Sequence, residues 1–174
     1  MTESHELYEQ GLAAFRRGDT AESRTLSEQA LAAATTDSDR ARAHIGLTRA
    51  AFRDAAYAEG LRLAGVAQRL ATDAGDDELR IAGLHMRAEI TRAQGEYAAA
   101  VPLYRELLAL DEARDDVESL SMEHYNLGSV HIQLGNLDEA EDHLTASLRL
   151  ITDEGHNQLA YTLVCLEVLS SVRV

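Results

Sequence analysis

The sequence contains no lysine: all sixteen of its basic residues are arginine. Schiff-base, general-base and P-loop lysine chemistry are therefore excluded. Cys165 is the only cysteine, so an intrachain disulfide or a multi-cysteine zinc site is impossible, and a reducing compartment, the cytoplasm, is the expected location. No eighteen consecutive residues are apolar, and the leading MTESHELYEQG lacks a basic stretch followed by an apolar run. Neither a membrane span nor an export signal is expected. Positive charge is also scarce, with 30 acidic residues against 16 basic ones and a formal charge of −14. That balance lacks the basic footprint of a phosphate-backbone binder, so nucleic acid is not an expected partner. Tryptophan is missing and proline occurs once, as Pro102.

What remains is 174 residues, 45% apolar and 26% charged, enough for a single domain over 1–174 with a core of its own. Ala, Leu, Glu, Arg and Gln dominate, and their helix propensity is high throughout. The chain is expected to be all-α.

An internal repeat organises it. GDTAES (18–23), AAYAEG (55–60), GEYAAA (95–100) and GNLDEA (135–140) share one layout, a helix-breaking or small residue followed by a turn residue and a helix rich in small and acidic side chains. The turn residues Thr20, Tyr57, Tyr97 and Leu137 are 37, 40 and 40 positions apart. Nine residues before each stand Gly11, Thr48, Ala88 and Gly128, small enough for two helices to cross closely; ten after each stand Ala30, Ala67, Leu107 and Ser147. TTDSD, TDAGDD, DEARDD and TDEGH separate the units, and Asp39, Asp77 and Asp116 are placed near helix N-termini, where a carboxylate accepts from free N–H groups. Pro102 falls about one turn into a helix, where a lost N–H permits a bend.

On these residues, above all HYNLGSVHIQLGNLDEAEDHLTASLRL (124–150) and GEYAAAVPLYRELLAL (95–110), the chain resembles the tetratricopeptide repeat family. The 40-residue spacing is longer than the usual 34 and is similar to the longer-helix repeats of kinesin light chains and bacterial regulators. Gly60 departs from the alanine usual at the start of a second helix, Arg87 from a leucine, and Thr20 from the turn tyrosine. The resemblance implies an α-solenoid, a right-handed superhelix of units at roughly 4–36, 39–74, 77–113 and 116–153, with a terminal helix at 157–172.

Catalytic patterns are lacking: there is no HExxH, phosphate loop, G-x-S-x-G or EF-hand loop. No cofactor, no metal and no enzymatic activity are expected. His124 and His131 share a helical face and His143 lies on the partner helix, so a metal site is conceivable, but the family places packing aromatics at the first two positions. Cys165 stands in an apolar run without nearby cations, conditions for an inert thiol. Paired carboxylates such as Asp76 with Asp77, or Asp115 with Asp116, fall in loops and read as caps.

The resemblance implies a concave wall made by the first helix of each unit. By position, the inward set comprises Tyr8, Leu12 and Phe15; Arg42, Ile45, Arg49, Phe52 and Arg53; His85, Glu89 and Arg92; and Met122, Tyr125, Asn126, Ser129 and Ile132. Arg42, Arg49 and Arg53 fall on one stripe, within a stretch of 31 residues, 40–70, that holds six arginines against Asp54 and Glu59. Two readings stand side by side. The arginines can take the carboxylates of an acidic, partly apolar peptide, or they can pair with neighbouring acidic helices while the aromatics pack between units. A lysine-based carboxylate clamp is not supported, since only Asn126 stands at a comparable place. The function expected is non-enzymatic protein or peptide binding in the concave groove, the alternative being a regulatory sensor or assembly subunit that acts through homo-oligomerisation by the apolar last helix. The last stretch, NQLAYTLVCLEVLSSVRV, is apolar on nearly every side, so Leu159, Leu163, Leu166, Leu169 and Val172 are candidates for a homodimer interface, unless the array continues.

Overall fold

The structure is a computed structural model that describes residues 2–151 together with 162, 163, 165–167, 169 and 170. Its elements in chain order are the helices α1 (Glu3–Arg17), α2 (Thr20–Ala33), α3 (Asp37–Arg53), α4 (Tyr57–Ala74), α5 (Asp77–Ala93), α6 (Tyr97–Arg114), α7 (Val117–Leu134) and α8 (Leu137–Leu150). The fold is all-α, and no strand occurs among the described residues. The four turn residues read from the repeat, Thr20, Tyr57, Tyr97 and Leu137, are each the first residue of a second helix. None of the helices, among the described residues, is long and apolar enough to cross a membrane.

The chain divides into two compact units, Met1–Ile90 and Thr91–Val174. In a repeat array each element touches only its neighbours, so a division within one repeated stretch is an expected property of the architecture. In the first unit α1 packs on α2, α3 on α4, α2 on α3, and α1 on α3; in the second, α7 packs on α8 and α6 on α7. Small residues make these approaches possible. Ala30, Ala67, Leu107 and Ser147 are all almost fully buried, and so are Gly11, Thr48, Ala88 and Gly128. A methyl group on Gly128 would lie 2.6 Å from Leu144 Cγ and 3.2 Å from the Ala140 carbonyl. Gly60 has a similar reason: a Cβ there would meet Ile90 Cδ1 at 2.8 Å. Its departure from alanine is matched by the fully buried isoleucine that fills the space.

Helix ends follow local chemistry. Asp116 caps α7, accepting from the Ser119 N–H. The neighbouring predictions shift: α5 is served by Asp76, which accepts from the Leu79 N–H, and α3 is capped by Thr36, whose hydroxyl accepts from the Asp39 N–H. Asp39 is thus three residues inside α3. α6 continues through Pro102, whose missing N–H leaves one carbonyl of the preceding turn without its intrahelical donor.

Hydroxyls add a second kind of link. Ser4 Oγ donates to the Ala30 carbonyl at 2.8 Å, and Ser121 Oγ lies 3.3 Å from the Ser147 carbonyl, so both bonds join helices of one hairpin across 26 residues. Ser147 Oγ is in turn 3.4 Å from Thr162 Oγ1, which is fully buried. The described part of the last stretch is helical and turns Thr162 and Leu169 inward.

Candidate functional site

Arg42, Arg49 and Arg53 all come from α3, with one or two helical turns between them, and α1 supplies the facing rings. The structure separates the three. Arg42 lies 3.6 Å from Asp39, a carboxylate that also receives the Thr2 hydroxyl at 3.0 Å and is 4% exposed. Burial pushes the Asp39 carboxyl up, but the Thr2 and Thr36 hydrogen bonds and the Arg42 charge together hold it below its ordinary value. Arg42 is therefore committed within its own helix.

Arg49 and Arg53 are held differently. Arg49 Nη1 donates to the Tyr8 hydroxyl at 2.7 Å, with its Cζ 5.9 Å from the ring centroid. Arg53 Nη1 donates to the Phe15 carbonyl at 2.6 Å, with its Cζ 3.8 Å from the centre of the Phe15 ring. A guanidinium over an aromatic face gains about 0.5–2 kcal/mol and keeps its remaining donors available. Among the described residues neither arginine has a carboxylate within ion-pair distance. The contrast lies within the same unit: Arg24 joins both Asp54 and Glu59, Arg17 joins Glu22, Arg40 joins Asp37, and Arg80 joins Asp77. Like charges one turn apart repel. The aromatic and carbonyl contacts hold the Arg49 and Arg53 pair in place despite that repulsion, within a strongly acidic chain.

The other expected wall residues are distributed unevenly. Tyr8 is 8% exposed and Leu12 packs beside it, so both support the face more than they present it. Phe15 is half-buried beneath Arg53. Phe52 leans toward the α3–α4 turn, its ring 6.1 Å from that of Tyr57. Ile45 is a correction: at 1% exposure it belongs to the core cluster of Ala41, Ala67, Ala71 and Leu79. At the same repeat position α1 carries Tyr8, which misleads a reading by register alone. His85 is half-buried on α5.

Arg92, Tyr125 and Asn126 belong to the second unit. Arg92 Nε donates to the hydroxyl of the fully buried Tyr104 at 3.2 Å. Asn126 is 6% exposed and its amide donates to Glu123 at 3.2 Å, so it supports the packing there. Tyr125 bonds the Cys165 thiol, and burial pushes that thiol up against the smaller effect of this bond, in keeping with an inert cysteine. Of the five candidates for a dimer interface, Leu159 and Val172 lie outside the described residues. Leu163 is 48% exposed, Leu166 is partly buried, and Leu169 is packed within this chain.

A second polar assembly joins the three histidines that the sequence places on one face of a helix and on its partner. His124 and His131 from α7 meet His143 from α8, with His124 Nδ1 3.0 Å from His143 Nδ1 and the His131 and His143 rings stacked 5.7 Å apart. Helical spacing put the first two on one face, but no period states that a third ring will fit between them. Among the described residues no three His, Cys, Asp or Glu side chains are placed to hold a metal ion.

The tetratricopeptide repeat matches residues 84–118 and again 124–153. Those two stretches are tetratricopeptide repeats. Among solved structures, aspartyl phosphate phosphatase F from Bacillus subtilis is similar with a TM-score of 0.83 at 16% identity, over 97% of this chain and 44% of that one. A Rap protein complexed with competence and sporulation factor gives 0.79 at 16%, over 96% and 48%. A kinesin light chain with nearly identical TPR-like repeats, from Podosopora anserina, gives 0.72 at 19%, over 97% and 92%. At such identities the likeness is one of fold. The chain spans about half the length of the first two. No curated protein matches it in sequence.

Proposed function

We propose that this chain is a non-enzymatic, cytoplasmic interaction module, and that the face formed by α1 and α3 binds a protein segment carrying acidic and apolar side chains. The observation that carries this reading is the state of Arg49 and Arg53. They are oriented by Tyr8 and Phe15 and have no acidic partner among the described residues, while Arg17, Arg24, Arg40, Arg42 and Arg80 each have one. A guanidinium already fixed against a ring loses little side-chain freedom when a carboxylate arrives, and each can present a bidentate pair of donors. The half-buried rings of Phe15 and Phe52 supply apolar contact nearby. Binding of a factor by one structural neighbour supports a ligand-binding role for such a scaffold, and the name of another neighbour shows that the fold alone does not decide the matter.

The test is a displayed library of acidic and apolar peptides screened against the full chain, followed by affinity measurement with Arg49→Glu/Arg53→Glu. A loss of tenfold or more at unchanged melting temperature is expected, since each charge-assisted contact is worth about 1.5–3 kcal/mol. Undiminished binding by the double variant overturns the reading.

A further inference from the structure

The three histidines of the second unit are not used by the binding reading, and their hydrogen bonds restrict where protons can sit. Asn136 Nδ2 lies 3.3 Å from His131 Nδ1. An amide nitrogen only donates, so this Nδ1 is the acceptor and the ring's proton is on Nε2, which is buried with no partner. His124 Nδ1 and His143 Nδ1 are 3.0 Å apart, so one carries a proton and the other is bare. A further proton on His131 Nδ1 would face an N–H donor. A further proton on the accepting ring of the pair would set two N–H groups against each other. Both bonds therefore exist only while the accepting rings are neutral.

The same places in the second repeat are partly apolar. Eighty residues back, in two steps of forty, His131 corresponds to Ala51, His143 to Leu63 and His124 to His44. Ala51 and Leu63 form an apolar cluster with Leu47. The scaffold thus closes at this point without three imidazoles, and the α7–α8 hairpin has proton-binding groups where α3–α4 has a methyl and an isobutyl group.

We propose that this histidine cluster is a proton-operated latch, which holds α7 to α8 when neutral and releases the hairpin on acidification. Around it, among the described residues, α6 contributes Arg105 and Glu112, and α8 contributes Glu139 and Asp142. Burial lowers the basicity of His124 and His131 against opposing Glu112 and Glu139, with Arg105 adding to the effect at His131. His143 is pushed down to about 4 by burial first, then by His124, His131 and Arg105, against Asp142. The unfolded chain, with ordinary imidazoles near 6.5, binds protons that the folded hairpin refuses. The latch's contribution is complete above about 6.5 and is lost as pH falls toward about 4. From His143 alone, lowering the pH from 7.5 to 5 multiplies the opening constant about thirtyfold. In the first unit His44 is lowered by burial and by Arg62.

Hydrogen exchange on the full chain, at pH 7.5 and 5, with rates corrected for the intrinsic pH effect, decides between outcomes. Amides of α7 and α8 are expected to lose about thirtyfold or more in protection, and those of α1 and α2 much less. His131→Ala/His143→Leu, which installs the second repeat's residues, is expected to abolish the difference. Equal losses in both regions of the native chain overturn the proposal, as does an NMR titration in which all three histidines protonate near 6.5. That titration uses the native chain and remains decisive if the double variant does not fold.

Discussion

The two units apply one helical pattern to unequal negative charge, −4 in the first and −10 in the second. Met1–Ile90 contains eleven arginines and fifteen acidic residues, Thr91–Val174 five and fifteen. In the first, two cations stand on aromatic supports with no carboxylate within ion-pair distance among the described residues; in the second, the polar cluster is a set of imidazoles that fits only uncharged. Equivalent repeat positions carry unrelated chemistry: Leu12, Arg49, Glu89 and Ser129 are one such series, and Tyr8, Ile45, His85 and Tyr125 another. What repeats is the set of close approaches, and what varies is what the scaffold displays between them.

The sharpest way to break the assignment of the first unit's face is at Ile45, where register points to the binding wall and burial to the core. Ile45→Ala is expected to cost about 2–5 kcal/mol of stability, read by urea unfolding, while peptide affinity of the remaining folded protein stays the same. A large affinity loss with little change in stability would return Ile45 to the binding face and remove the distinction drawn between it and Tyr8.

A smaller effect separates the two units at their helix crossings. The second repeat accommodates Thr48 at the position of Gly128, and at the position of the fully buried Leu144 it has the smaller Ala64. The size of one residue thus varies inversely with the other. Gly128→Ala brings a methyl within 2.8 Å of two Leu144 carbons, and overpacking of this kind costs about 1–3 kcal/mol before about 1 kcal/mol is regained from helix propensity. Chemical denaturation should show the destabilisation. Adding Leu144→Ala should then cost less than the two changes taken separately; strict additivity would mean that the crossing is not tight.

Much of this architecture is written in spacing. Intervals of 37, 40 and 40 mark the starts of α2, α4, α6 and α8 to the residue, because a turn of two or three residues between helices leaves little freedom for slippage. Pairing is not periodic and is not legible in the same way. The sequence shows Asp39 three residues before Arg42, but not the ring and the carbonyl that take Arg49 and Arg53. Thr36 replaces Asp39 as a cap because capping is decided by backbone position, and a carboxylate inside the first turn can instead be buried under Thr2 and Arg42. Gly60 becomes intelligible only with Ile90, thirty residues further on. The unmatched first repeats are also the ones in which such compensations accumulate: the two stretches that match the family lie after residue 83.

The finest comparison concerns the hairpin turns. Gly18, Gly95 and Gly135 have φ of 90°, 79° and 75°, a left-handed conformation in which a Cβ is crowded by the backbone. In the second repeat the same task falls to Ala55, at φ 56°. Its N–H still donates to the Phe52 carbonyl, and that of Ala56 to Ala51, so the turn closes at the expense of strain. Ala55→Gly removes the strained Cβ but increases the freedom of the unfolded chain, and the two effects leave a net stabilisation of about 0.5–1 kcal/mol. A rise in the thermal midpoint checks it. Gly135→Ala should move the midpoint the other way by a similar amount, so a shift of the same sign in both variants would show that the turns of the two units are not equivalent.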